Sequence, residues 1–463
     1  MPRTTVHRMS ALLAAAALVV LLGAAPTQAA SPATTDRFVA TELPDSPVGR
    51  QTRWLIEASA RLPLGDAELR AHCGERFLSS PGATPAEIND VLRTLGALRL
   101  VGLVVVEPDG LVAIVTGADA QELVLTLAVD RAGLIAFATI EPAVGGPAVA
   151  LPEPSGRAAV GMDVVQLVDR ARGGRRLMLS RWYPAAKSSR ERPLAVYASS
   201  RLTAALGLPP VRVHARRGAR ARRGRLPVVL FSPGLGASRV IYQTLAEDLA
   251  SHGYLVLAVD HTGEAPVEFP DGHIELPSAL PRHPITSASA TRVLDMRLIL
   301  RRLSTMRQGP LPDPRRIAAM GHSLGGSTAA ALVRAQPIVR AGVNLDGTIV
   351  GAPSRLGIRR PFLALTGAGH WAQDRSLRRL FKRSRGPRLA LEVAGLEHMS
   401  FSDLPVIAPR APGVGKRPSR RDISLQSAYV RAFLNRHLRD RPSRLLHGPS
   451  RRFPRVSFKY RGR

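Results

Sequence analysis

The sequence predicts an α/β fold, a mainly parallel sheet with helices on both faces, preceded by a small α+β unit. Three observations carry this. Near-continuous apolar runs alternate with helical stretches between residues 226 and 398, as in a sheet covered on both sides. Before residue 142 the order differs, with helical patterns first and strand-like runs after. The Pro/Gly-rich stretch PAVGGPAVALPEPSG, residues 142–156, reads as a linker between the two. A chain of 463 residues also exceeds one ordinary core.

The first unit, residues 31–141, opens on TRWLIEASARL and DAELRAHCGERFL, with apolar residues at helical spacing. TPAEINDVLRTLG offers Thr84 as an N-cap with Glu87 three residues on, a capping box. Short apolar runs from residue 98 onward are separated by turn pairs such as Asp109-Gly110 and Ala132-Gly133, predicting an antiparallel meander. This layout resembles cystatin-like or nuclear-transport-factor-like modules. Cys73 is the only cysteine, so no intramolecular disulfide is possible, and its surroundings predict a partly buried apolar role.

Residues 1–30 read as an export signal. Arg3 and Arg8 precede the apolar run ALLAAAALVVLLGAA, and small residues at Ala29 and Ala30 suit cleavage. The run is shorter than the ~20 residues of a spanning helix. The net charge of +30 is carried almost wholly by arginine, with lysine only at 187, 382, 416 and 459. A surface so basic attracts anionic lipid or cell-wall polymer. The segment 214–225, HARRGARARRGR, predicts an exposed basic loop, and the arginine-rich residues 439–463 predict a solvated or surface-binding tail. No aromatic-interleaved basic face or nucleic-acid reader motif is present.

The second unit, residues 157–438, carries the chemistry. In RIAAMGHSLGGSTAAALV an apolar strand stops at Gly321, Ser323 occupies the turn, and a helix begins near Gly325. That is the strand–turn–helix setting of a G-x-S-x-G nucleophile elbow. The turn is sharp, and only small residues two positions either side of the serine avoid collision. A phosphate-binding loop would need a Gly-Lys-Ser/Thr ending, and no lysine is near.

A serine hydroxyl needs a base and an orienting acid. His398 follows the last strand-like run, RLALEVAGLEH, and is preferred to His370, which follows an earlier run. For the acid, Asp346 ends the strand AGVNLD and is preferred to Asp374, which reads as the N-cap of RSLRRLF. The oxyanion donors expected are the backbone N–H of Leu324, after the serine, and that of Leu235 in the glycine-rich loop SPGLGASR.

VVLFSPGLGASRVIYQTLAEDLASHGYLVLAVDHTGEA, with GHSLGG, resembles the secreted, group II platelet-activating-factor acetylhydrolases and the dienelactone-hydrolase-like branch beside them. The resemblance implies an α/β-hydrolase fold and a Ser-His-Asp mechanism. It places the acid after the strand that follows the elbow helix, adding to the case for Asp346. The chain departs from the family at Pro233, where a histidine is common, at Leu324, where an aromatic is frequent, and in the basic segment 214–225.

The expectation is therefore an exported serine carboxylic-ester hydrolase acting on small-molecule or lipid esters, without cofactor or metal. An acyltransferase on the same scaffold and a non-catalytic surface-binding protein are the alternatives. His261, near Asp260 and Glu264, lacks zinc-site spacing and is read as a residue supporting the pocket mouth.

Overall fold

The computed structural model describes residues 38–462, apart from residues 81, 144–147, 278–284, 304, 307–308, 410–413 and 416–418. The expected export signal lies outside the described residues. Helices α1 (Pro47–Ala58), α2 (Asp66–His72) and α3 (Pro85–Leu95) precede four antiparallel strands. These are β1 (Arg99–Val106), β2 (Gly110–Thr116), β3 (Glu122–Val129) and β4 (Ile135–Pro142), paired in chain order as a meander. The α3 capping box forms, since Thr84 Oγ1 accepts from the Glu87 N–H and Glu87 Oε2 from the Thr84 N–H at 3.0 Å.

Strand alternation gives this small sheet two apolar faces. Leu103, Leu111, Ala113, Val115, Leu125 and Leu127 face the helices, and buried Cys73 joins that core. Val104, Val112, Ile114 and Val124 face the other way, against Ala205, Ile274 and Leu276 of the second unit. Burial pushes the Cys73 thiol up to about 12, so it is inert at neutral pH.

The second unit adds β5 (Val160–Asp169), β6 (Arg175–Pro184), α4 (Ser200–Ala205), β7 (Arg216–Arg217), β8 (Arg225–Ser232), α5 (Gln243–Ser251) and β9 (Leu255–Val259). A hairpin of β10 (Val267–Glu268) and β11 (Ile274–Glu275) follows, then α6 (Ile285–Leu303), β12 (Leu311–His322), α7 (Leu324–Ala335), β13 (Val339–Leu345) and β14 (Phe362–Thr366). Next come α8 (Arg375–Arg383), β15 (Arg388–Val393), α9 (Arg420–Arg439) and β16 (Val456–Gly462). One ten-stranded sheet results, in the order β16-β15-β14-β13-β12-β8-β9-β6-β5-β7. The run from β15 through β9 is parallel throughout.

The near-continuous apolar strands have a physical cause. Within β8, Val229 and Phe231 enter one core with residues of α5 and α9, while Val228 and Leu230 enter the other with residues of α6, α7 and α8. Both strand faces are dry, so no polar alternation survives. The C-terminal ends of β8, β9, β12, β13 and β14 open on one edge, where an α/β sheet builds its site.

Two expectations are corrected. The tail after residue 438 is folded: β16 pairs antiparallel with β15 and closes that sheet edge, and Leu446 and Phe453 are buried. Exposed Ser457, Lys459 and Arg461 alternate with Val456, Phe458 and Tyr460, a half-buried strand pattern masked by the charge around it. The basic segment 214–225 exposes Arg217, Arg220, Arg222 and Arg223 as expected, but it is tied down and not a free loop. Residues 216–217 pair with β5, Ala215 and Ala219 are buried, and the Tyr183 hydroxyl donates to the Ala219 carbonyl at 2.8 Å. Among the described residues no helix is long and apolar enough to cross a membrane.

Truncation after Arg455 removes β16 and uncovers the edge of β15. The expected outcome is a thermal midpoint lower by roughly 5 °C or more, with concentration-dependent aggregation, read by differential scanning fluorimetry and light scattering.

Candidate active site

Ser323 sits between β12 and α7 with φ 54° and ψ −123°, a backbone conformation that L-residues adopt only under constraint. The constraint is packing. A Cβ on Gly321 would strike the Gly325 carbonyl, and one on Gly325 would strike the Ser232 carbonyl. A Cβ on Gly326 would run into Asn344 Oδ1, and one on Gly347 into the Ser323 carbonyl. The Ser323 N–H donates to the Leu345 carbonyl at 2.9 Å, tying the turn to the neighbouring strand end. Ser323 is half-buried, and the Leu324 N–H at the first helical position has no acceptor within the helix.

Asp346 lies one strand over, directly after β13, with φ 50° and 4% exposed. Its Oδ2 accepts from His398 Nδ1 at 2.7 Å, and its Oδ1 from the Gly367 N–H at 2.8 Å. A second histidine, His370, approaches Oδ1 through Nδ1 at 3.1 Å. Burial alone would raise this carboxyl, but the hydrogen bonds from His370 and His398 outweigh it and hold Asp346 far below the usual carboxylate range. With Nδ1 of His398 donating, its Nε2 is left to act as acceptor. The side chain of His398 is 43% exposed, so it faces solvent.

His322, the residue before the serine, is buried and ties three parts together. Its ring lies 4.6 Å from the ring of His398, and Nε2 donates to the His398 carbonyl at 2.9 Å. Its Nδ1 then accepts from the Tyr242 hydroxyl at 3.0 Å, and the same hydroxyl accepts from the Gly234 N–H at 3.1 Å. Burial, then the neighbouring His398, push His322 down to about 3, so it stays neutral.

The loop after β8 is held from behind. Arg292 of α6, fully buried, donates Nη1 to the Pro233 carbonyl at 2.6 Å and Nη2 to the Gly234 carbonyl at 2.9 Å. Its Nε is paired with Glu264 at 2.9 Å. A peptide unit is planar and trans, so its C=O and N–H point oppositely. Pinning the Gly234 carbonyl on Arg292 therefore turns the Leu235 N–H away from Arg292. Among the described residues that N–H has no partner. A Cβ on Gly234 would lie 3.6 Å from the Cβ of Ser323, so the loop passes against the serine.

His261 is not at the pocket mouth. It is buried, with Nε2 2.9 Å from Ser232 Oγ and Nδ1 2.9 Å from Asp295 Oδ2. Ser232, His261 and Asp295 thus repeat the Ser-His-Asp connectivity beneath the loop. Ser232 and Asp295 are 0% exposed and Asp295 is also bound by Arg175, so no substrate reaches them. Asp374 caps α8, accepting from the Ser376 and Leu377 N–H groups, as its position before RSLRRLF predicted.

The structure brings Ser323, Asp346, His398, Leu324 and Leu235 to one edge of the sheet. Sequence reasoning passed over Tyr242, His322 and Arg292. The chain alone did not mark them out, since Arg292 shares its helix with Asp295, Arg297, Arg301 and Arg302, and Tyr242 stands directly before Gln243 and Thr244.

A sheet with a strand–serine–helix turn at this edge defines an α/β-hydrolase. Residues 195–267 match the family described as platelet-activating factor acetylhydrolase, isoform II, and residues 43–135 match the family described as ORF 12 gene product N-terminal. A probable 1-alkyl-2-acetylglycerophosphocholine esterase of Arthroderma benhamiae is 28% identical over 66% of this chain and 93% of that protein. The platelet-activating factor acetylhydrolase of Bos taurus is 26% identical over 46% of this chain, a match spanning 57% of the bovine protein. The solved ferulic acid esterase of Streptomyces cinnamoneus is 35% identical, with a TM-score of 0.62 over 68% of this chain and all of that one. The chain is an α/β-hydrolase similar to the platelet-activating factor acetylhydrolases, and a serine ester hydrolase.

Replacing Tyr242 with Phe deletes the hydroxyl that serves both Gly234 and His322. The expected outcome is a fall in kcat of about 10-fold with KM little changed, measured on p-nitrophenyl acetate, because one buried hydrogen-bond junction is worth about 1–2 kcal/mol.

Proposed function

We propose that the protein is an exported carboxylic-ester hydrolase in which Ser323 is the nucleophile, His398 the general base and acid, and Asp346 the residue that orients His398. The observation that carries this reading is the 2.7 Å bond from His398 Nδ1 to Asp346, on the strand end next to the strained Ser323 turn. The Ser323 hydroxyl gives its proton to His398 Nε2 as Oγ attacks the ester carbonyl carbon. The carbonyl oxygen takes up the negative charge and is met by the N–H groups of Leu324 and Leu235. His398 then returns the proton to the departing alkoxide, leaving an acyl-serine. Water attacks the acyl-serine with His398 again as base, and the free acid leaves. Asp346 stays ionised throughout and stabilises the imidazolium.

The substrate class is a short acyl ester, including acyl esters of glycerophospholipids. This follows from relatives named for acetylglycerophosphocholine and platelet-activating factor, together with the open position of His398. Export rests on the apolar run at residues 11–25 behind Arg3 and Arg8. Contact with an anionic surface is part of the reading, through the cavity of about 590 Å³ where Arg157, Lys187, Arg190, Arg220, Arg222 and Arg223 converge.

Ser323→Ala is expected to lose nearly all hydrolysis of short p-nitrophenyl esters and all labelling by a fluorophosphonate probe, whereas Ser232→Ala retains the label. Undiminished turnover by Ser323→Ala would sink the assignment. Asp346→Asn should lower kcat by about 10⁴-fold, as when the tautomer of the base is lost. Asp374→Asn should cost at most tenfold, since Asn also caps a helix; the reverse ranking would move the acid to Asp374.

A further inference from the structure

His398 and Asp346 are two members of a longer chain of charge. His370, at the start of the short helical turn His370–Gln373, places Nδ1 3.1 Å from Asp346 Oδ1 and Nε2 3.3 Å from Asp374 Oδ2. Its side chain is 18% exposed and those of the two carboxylates 5% and 7%. Neither carboxylate has another cationic side chain in a salt bridge to it besides these histidines among the described residues.

A neutral imidazole carries one N–H, so it can donate to one carboxylate only and would turn a lone pair on the other. Both contacts are met only when both ring nitrogens carry hydrogen. From this geometry we propose that His370 is a standing imidazolium, a positioning residue that, backed by Asp374, locks Asp346 and sets the charge against which His398 titrates. The inference rests on the assignment of Asp346 and His398 as acid and base. In support, burial alone would lower His370, but its bonds to Asp346 and Asp374 outweigh this and push it up to about 10.

The chain reads His398–Asp346⁻–His370⁺–Asp374⁻. The imidazolium offsets part of the negative field that Asp346 places on His398, and Asp374 limits the offset. The other groups near His370 do not change this sign. His322 is neutral, Glu392 accepts from the Trp371 N–H and pairs with Lys459 at 3.0 Å, and Arg378 donates to the Trp371 carbonyl at 2.7 Å.

Two variants move the base in opposite directions. His370→Gln removes the cation but keeps an amide donor for Asp346, so the base pKa rises. The acid limb of kcat/KM is expected to move up by about one pH unit. Asp374→Asn removes an anion and keeps the helix cap, so the acid limb moves down. A merely structural role would lower both plateaux and leave both limbs in place, and unmoved limbs or shifts of the same sign overturn the proposal. Should His370→Gln fail to fold, the Asp374→Asn limb alone decides by its sign.

A readout independent of activity is the ¹⁵N spectrum of the wild-type histidine rings at pH 8. His370, assigned by its absence in the Gln variant or by selective labelling, is expected with two protonated nitrogens. A single protonated nitrogen overturns the proposal while leaving the Ser323 assignment untouched. Conversely, activity surviving in Ser323→Ala removes the base whose titration is at issue, even if the imidazolium is found.

Discussion

The site depends on one steric constraint, the close approach of three strand ends at Ser323. The carbonyls of Ser232 and Ser323 and the side chain of Asn344 occupy the space that Cβ atoms on Gly325, Gly347 and Gly326 would need. That crowding holds a non-glycine residue at positive φ, a conformation costing about 1–3 kcal/mol when left unsupported. The strain is opposed by the bond from the Ser323 N–H to the Leu345 carbonyl and by Asn344, which bonds both the N–H and the carbonyl of Gly347. With the serine lifted to the sheet edge, Asp346 and the loop of Leu235 arrive as its neighbours, because β13 and β8 flank β12.

Buried charge is the second theme, and burial decides which chemistry is open. Ser232, His261 and Asp295 have the connectivity of the proposed catalytic group, yet they are sealed beneath the loop and serve to brace it. Arg292 and Arg239 do similar work on the same loop. The first pins two carbonyls, and the second is buried against Asp260, with Nε donating to Ser180 Oγ at 2.8 Å. Breaking one partner of such a pair strands a charge in the interior, which costs about 3–5 kcal/mol. The loop that carries Leu235 is therefore pinned by buried ion pairs, the kind of fixed backbone that the proposed oxyanion role of Leu235 calls for.

The order of apolar runs and glycines was legible because it is local. A sharp turn must be written in neighbouring residues, so GHSLGG, SPGLGAS and the strand ends at residues 346 and 398 could be placed from the chain alone. The folded tail and the pinned basic segment were not legible, since arginine content masked a two-residue alternation whose partner strands lie far away in sequence. The preference for His398 over His370 and for Asp346 over Asp374 treated each pair as rivals. In the fold they are consecutive members of one chain of ion-pair contacts.

By itself, then, the sequence determined the α/β class, the elbow at Ser323 and the strand ends that carry Asp346 and His398, because periodicity and steric need in a turn are properties of short stretches. Tertiary structure alone decided the rest. It selected which polar groups are buried against one another, from Tyr242 with Gly234 and His322 to Arg292 with Pro233 and His370 between two carboxylates. These contacts join residues from different elements, and their energy depends on the burial and direction that only the packed sheet and helices supply.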